Sequence, residues 1–164
     1  IAAPPSAVWD ILTDYDNLSK YVPNLVASRV KPHPTGGIRL YQEGAQKVVG
    51  FEFRAAVTMD MVESCGDASE PKGLRRINFS LVDSLMFGEF DGEWRLQPYS
   101  RKRVGEGYEY TSQLSYRVDI TPKGLVPIPA LEWRIREDVP QNLLAVKAAV
   151  EGGAGRVGVG AHRP

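Results

Sequence analysis

The sequence predicts an α+β fold in which a curved antiparallel sheet of six to seven strands wraps a long C-terminal helix, with two short helices near the N-terminus. Three observations predict it. Apolar and polar residues alternate with a period of two from Leu25 to about Thr121. An apolar stripe at spacings of three and four then runs from Ile128 to Val150. Two brief helical patterns precede the first strand. One apolar and one wet face per strand marks an antiparallel sheet covered on one side, and short turns between strands point to a meander.

Pro4-Pro5-Ser6 places prolines where a helix starts without losing a useful N–H, and Val8, Trp9, Ile11 and Leu12 follow at helical spacing. Asp16–Tyr21 reads as a second short helical piece, ended by Pro23. Val26, Ser28 and Val30 alternate with Ala27, Arg29 and Lys31, and His33–Gly37 makes a turn. Ile38–Val49 is the next strand, with Gly44 and Gly50 as expected bulges or bends. Phe51, Phe53, Ala55, Val57, Met59 and Met61 share one face of a third strand, and Ser64–Gly73 forms a polar loop. Ile77, Phe79 and Leu81 face one way on the fourth. Phe90, Trp94 and Leu96 do so on the fifth, and Pro98–Gly107 is expected to be a basic loop. Tyr108, Tyr110, Ser112, Leu114, Tyr116, Val118 and Ile120 share a face of the last strand. The final helix carries Ile128, Leu131, Ile135, Val139, Leu143, Val146 and Val150; Pro140 should kink or split it, with Asp138 capping the restart.

The 164 residues suit one domain with one core, expected over 1–151, followed by a Gly-rich flexible tail over 152–164. Twenty Lys plus Arg balance twenty Asp plus Glu. A net charge of zero removes the main electrostatic drive towards nucleic acid. Cys65 is the single cysteine, so no intrachain disulfide forms, and its Ser64–Asp67 surroundings offer no base to activate a thiol. No apolar run approaches the ~20 residues that span a bilayer. Ile1-Ala2-Ala3 reads as the end of a strand, from which we expect an excised domain with a first strand and any targeting peptide upstream.

Geometry then implies a cavity. Strands of about 11 residues exceed ~35 Å, and such long strands curl. One helix, ~10–12 Å wide, does not fill a concave face of that size. The expected lining is Phe53, Val57, Met59, Phe79, Leu81, Trp94, Tyr110, Leu114 and Tyr116 from the sheet, with Ile135 and Leu143 from the helix. Gly44 leaves the facing of its strand open; an inward Arg39 or Glu43 would orient a ligand or act as an acid/base group.

The run Pro4–Tyr15 (PPSAVWDILTDY), followed by Tyr21-Val22-Pro23-Asn24-Leu25, resembles the opening of the polyketide cyclase/dehydrase and coenzyme Q-binding superfamily (START-like, SRPBCC, with the Bet v 1-like helix-grip fold). The likeness continues through Gly44-Ala45-Gln46-Lys47 and Phe53 onward, and closes with Arg136–Leu143 (REDVPQNL). It covers nearly the whole chain to about Glu151 and looks closest to the cyanobacterial and plastid branch. The resemblance implies the helix-grip fold, an apolar cavity, and a ligand among lipids, isoprenoid quinones or polyketide-like aromatics. It also implies a soluble intracellular protein, with a chloroplast as one location and membrane contact as a route for ligand exchange. No catalytic residue carries over by motif.

The inventory for catalysis is thin. His33 lies in a turn and His162 in the tail, neither at metal-ligand spacing, and no phosphate loop or nucleophile elbow occurs. Glu52, Asp60, Glu89, Asp91, Glu93, Glu109 and Asp119 fall mostly on outward faces. The expected function is therefore binding or transport of a hydrophobic small molecule, with neither cofactor nor metal. A polyketide cyclase or dehydratase using the same cavity is the alternative reading. A third is a module that presents its sheet edge or last helix to a protein partner.

Overall fold

A computed structural model describes residues 1–48, 51–124 and 128–157, and the side chains of 46–53, 128–134 and 154–157 are not described. Helix α1 (Pro5–Leu12) leads through a 3-10 turn (Tyr15–Lys20) into six strands, and helix α2 (Ile128–Val157) closes the chain. The strands are β1 (Leu25–Lys31), β2 (Ile38–Val48), β3 (Phe51–Cys65), β4 (Arg75–Asp83), β5 (Phe87–Val104) and β6 (Gly107–Pro122). They pair antiparallel in chain order, so the sheet is a meander. It curls into a half-barrel, the usual result of twist accumulated along strands this long.

Alternation decides what is buried. Leu40 of β2, Val57, Met59 and Met61 of β3, Ile77 and Phe79 of β4 and Leu96 of β5 all turn inward. They join Val8 and Leu12 of α1, Tyr15, and Val146 and Val150 of α2 in one core. Pro at the first position of α1 costs no hydrogen bond, and the Thr13 N–H caps the helix by donating to Trp9 O at 2.9 Å. Ile1 exchanges two backbone hydrogen bonds of 2.9 Å with Ser112 of β6, the bond pair of an antiparallel ladder. Ser112 Oγ also donates to Ala3 O, and Ala2 N–H donates to Glu151 on α2, so the N-terminal residues stitch sheet to helix.

Several expectations need correction. The segment 98–107 is not a loop: β5 runs to Val104 and pairs with β6 as far as Val104↔Gly107. Past the last β4 partner of β5, Leu96, this hairpin continues as a two-stranded ribbon with both faces wet, which erases the alternation that marks a strand. Pro98 is accommodated at a bulge, where the register shifts between Pro98 and Ser100. No bulge occurs at Gly44, since β2 and β3 pair without a break from Ile38↔Met61 to Val48↔Phe51; the irregularity lies opposite, in β1 between Leu25 and Ala27. Gly50 falls outside the described residues.

Helix α2 passes through Pro140 and is not restarted at Asp138. Pro140 sits on the exposed side of the helix, where water replaces the backbone bond that its ring removes. The helix also continues past Gly152 to Val157, beyond the expected tail boundary. Three glycines cost a helix about 1 kcal/mol each and do not stop one already anchored through Val146 and Val150. Residues 158–164 of the expected tail lie outside the described residues.

Candidate ligand cavity

Between the sheet and α2 lies a half-open cavity of about 320 Å³. Ala55, Val57, Met59 and Met61 of β3 form its floor together with Leu40, Gln42 and Gly44 of β2. Ile77 and Phe79 of β4, Phe87, Phe90 and Trp94 of β5 and Tyr116, Val118 and Ile120 of β6 make the far wall. The roof is one face of α2: Ile135, Asp138, Val139, Asn142 and Val146. Leu12, Tyr15, Leu18 and the Val22–Leu25 link close the near side.

The far wall is an aromatic cluster. Tyr116 packs on Trp94 with centroids 4.3 Å apart and stacks on Phe79 at 5.9 Å, and Phe90 bridges Phe79 and Phe87 at 5.9 and 5.5 Å. Gly92 makes this possible, because a Cβ there would stand 2.5 Å from Phe79 Cζ and 2.2 Å from Arg117 O. On the near side Asn24 adopts the left-handed conformation at φ 65°, and its carbonyl accepts from Ala45 N–H at 2.8 Å. Asparagine tolerates that conformation better than most residues, so the turn carries the chain from the helical link into β1 beside the cavity.

The polar groups are few and mostly tied together. Gln42 donates to Ser28 Oγ at 3.3 Å, and Ser28 donates to the Tyr15 carbonyl. Tyr15 donates its phenol proton to Glu63 Oε1 at 2.7 Å. Burial, reinforced by that hydrogen bond and by the Glu63 charge, pushes the Tyr15 phenol far up from its ordinary value. Burial alone pushes up Tyr116. Asp138 lines the roof with Oδ1 withdrawn from solvent.

Of the side chains expected to line a cavity, Val57, Met59, Phe79, Trp94, Tyr116 and Ile135 stand around this one. The Phe53 side chain lies outside the described residues. Six other expectations meet different positions. Arg39 and Glu43 face outward, because unbroken β2–β3 pairing turns Leu40, Gln42 and Gly44 in. Arg39 forks onto Asp60 at 2.7 and 3.0 Å. Glu43 accepts from Arg54 at 3.0 Å and from Tyr41 at 3.2 Å. Tyr110 shares the parity of Tyr116 but sits on the ribbon beyond β4, under the Arg101 guanidinium, and is exposed. Leu81 packs against the core without reaching the cavity. Leu114 and Leu143 line a separate, shallower recess with Ile1 and Tyr99.

Leu143 misses for a geometric reason. At about 100° per residue it lies about 80° around α2 from Ile135, whereas Asn142 lies within about 20°. Asn142 and Gln42 are among the lining residues that the expected set passed over, with Asn24, Asp138 and apolar residues such as Leu40, Ile77 and Phe90. The signal for Asn142 and Gln42 was positional: the face of Ile135 and Val139 on the helix, and the parity of Leu40 on the strand. Among the described residues no cluster of three potential metal ligands occurs, and no described helix is long and apolar enough to cross a membrane.

A family model described as polyketide cyclase / dehydrase and lipid transport matches residues 1–147. No curated protein matches the chain in sequence. Solved structures do. A START superfamily protein from Mycobacterium smegmatis is 15% identical with a TM-score of 0.62, over 93% of this chain and 92% of that one. A STAR-related lipid transfer protein from Xanthomonas axonopodis is 14% identical with a TM-score of 0.64, over 92% and 81%. An aromatase/cyclase from a Streptomyces species is 18% identical with a TM-score of 0.58, over 92% and 88%. At such identities the likeness is one of fold, and it agrees with the helix-grip arrangement of sheet and C-terminal helix. The family match spans residues 1–147, well over half of the chain: the chain belongs to the polyketide cyclase/dehydrase and lipid transport family.

Proposed function

We propose that the chain binds a hydrophobic small molecule in this cavity and carries it unchanged. The observation that carries the reading is the lining itself, an apolar, aromatic-walled space of about 320 Å³ with few polar groups. General acid–base work near neutrality needs a group that titrates near neutrality. Both phenols in the lining are held up by burial, away from that range. That favours carriage over a cyclase or dehydratase in which a lining tyrosine moves the proton; one structural neighbour is named an aromatase/cyclase and another a lipid transfer protein. Lipids, isoprenoid quinones and polyketide-like aromatics are the ligand classes that the family resemblance offers.

Magnitudes fit a carrier. Burying ~500 Å² of ligand at ~25 cal/mol/Å² gives ~12 kcal/mol gross, and association costs at least ~4 kcal/mol, leaving roughly micromolar affinity. Exchange with a membrane has a candidate contact in Leu85, which is 94% exposed in the β4–β5 turn beside the lining residue Phe87. Native mass spectrometry of the protein purified from its own cells, followed by solvent extraction, tests the proposal. A released apolar molecule of unchanged structure is the expected result. An empty protein that also fails to take up Nile red, or one that converts what it binds, would refute it.

A further inference from the structure

Two tyrosines reach the cavity wall, and the fold treats their hydroxyls differently. The Tyr15 hydroxyl has an acceptor in Glu63 at 2.7 Å. Tyr116 stands on the opposite wall with its ring against Trp94 and Phe79. Its hydroxyl meets no hydrogen-bond partner among the described residues, and burial is the only influence on its acidity. Tyr116 is half-buried and its hydroxyl keeps a surface open to the cavity, so its hydrogen bond goes to whatever fills that space, water or ligand. The space beside Tyr116 is the cavity itself, so whatever completes this group must enter there. A phenol that burial holds in its neutral form is a hydrogen-bond donor at any physiological pH and a poor proton shuttle.

Charge narrows the occupant further. Among the described lining residues there is no Lys, Arg or His. An anionic head group would give up its water here with no lining cation to receive it, a cost that burial makes large. A neutral oxygen gives up less and gains the phenol's proton.

Resting on the reading of this space as a ligand cavity, we infer that the Tyr116 hydroxyl donates the orienting hydrogen bond to a neutral, carbonyl-type oxygen on an otherwise apolar ligand. It follows that the cavity discriminates against carboxylates. Tyr116 then sets which end of the ligand faces β6, and the apolar walls set how much of it is buried.

Three probes of one skeleton test this on the full chain: acetylnaphthalene, ethylnaphthalene and naphthoate, each measured by displacement of Nile red at neutral pH. Wild type should bind the ketone about 5-fold tighter than the hydrocarbon, the value of one net hydrogen bond. Naphthoate should bind weaker than either. Tyr116→Phe should bind the hydrocarbon as wild type does and lose the preference for the ketone. Its Tm should equal or exceed that of wild type, because no protein–protein hydrogen bond is removed. Tyr15→Phe, which does remove one, should melt lower and keep the ketone preference. An unchanged ketone-to-hydrocarbon ratio in Tyr116→Phe would overturn the assignment, and so would naphthoate binding as tightly as the ketone. If Nile red and all three probes fail to bind wild type, the cavity reading itself falls, which separates the two failures.

Discussion

Gly44 offers the cleanest way to plug the cavity without harming the fold. It lines the space from β2, and a Cβ built there would meet only Asn24 O at 3.6 Å and Ala55 O at 3.9 Å, ordinary contact distances. Gly44→Phe would send a ring into the volume a ligand needs. An aromatic side chain buries ~150–250 Å², so it displaces at least ~150 Å² of ligand contact, worth ~4 kcal/mol at ~25 cal/mol/Å². Affinity should fall about 10³-fold. Stability should move the other way, because glycine inside a strand is unfavourable by roughly 0.5–1 kcal/mol and the new ring is buried. The assay is Nile red titration beside thermal melting, with Glu43→Ala as the outward-facing control. Lost binding with an equal or higher Tm is expected. Wild-type affinity in Gly44→Phe would show that ligands bind elsewhere and would defeat the argument from cavity geometry.

Other predictions read other parts of the molecule. Gly92→Ala should cost at least about 1–3 kcal/mol, because its Cβ would collide with the Arg117 carbonyl and the Phe79 ring; chemical denaturation measures it. Asp60 is held below its ordinary 3.8 by the hydrogen-bonded Arg39 fork, with help from His33. A depressed carboxyl contributes stability that is complete above 3.8 and lost as pH falls through the folded value, so Tm should drop at strongly acid pH, and less steeply in Arg39→Gln. Tyr15 and Tyr116 are shifted upward from 10.0, so their contribution is complete below 10.0 and disappears as pH rises through the folded values. A spectrophotometric titration should show these two phenols ionising last, together with loss of the fold, and a Tyr15→Phe, Tyr116→Phe double variant should lack that final step.

How legible the molecule was depended on where water stands. β3 and the inner half of β6 border the core on one face and solvent on the other, so Val57, Met59 and Tyr116 announced their facing through simple alternation. The ribbon past Leu96 has solvent on both faces; there Arg101, Tyr108 and Tyr110 answer only to each other across the hairpin, and alternation carries no information. The facing of β2 was undecidable from its own residues, because Arg39, Tyr41 and Glu43 are as plausible around a ligand as Leu40 and Gln42. Only the register with β3, a long-range fact, settles it. The cavity polar groups were hidden for a related reason. Gln42 and Asn142 are ordinary surface residues in composition, and what distinguishes them is the angle or parity at which they leave the backbone.

The stitch that joins Ile1 to Ser112 and Ala2 to Glu151 spans separations of 111 and 149 residues. Each hairpin of the meander closes a short loop and can form early, whereas these bonds wait until Ile1 and Ala2 have been brought to β6 and the far part of α2. They should therefore be absent from the transition state for folding. Weakening them, for instance with Glu151→Ala, which removes the acceptor of the Ala2 N–H, should leave the folding rate nearly untouched and speed unfolding. The lifetime of the fold is then governed in part by how firmly Ile1 and Ala2 are held against β6 and α2.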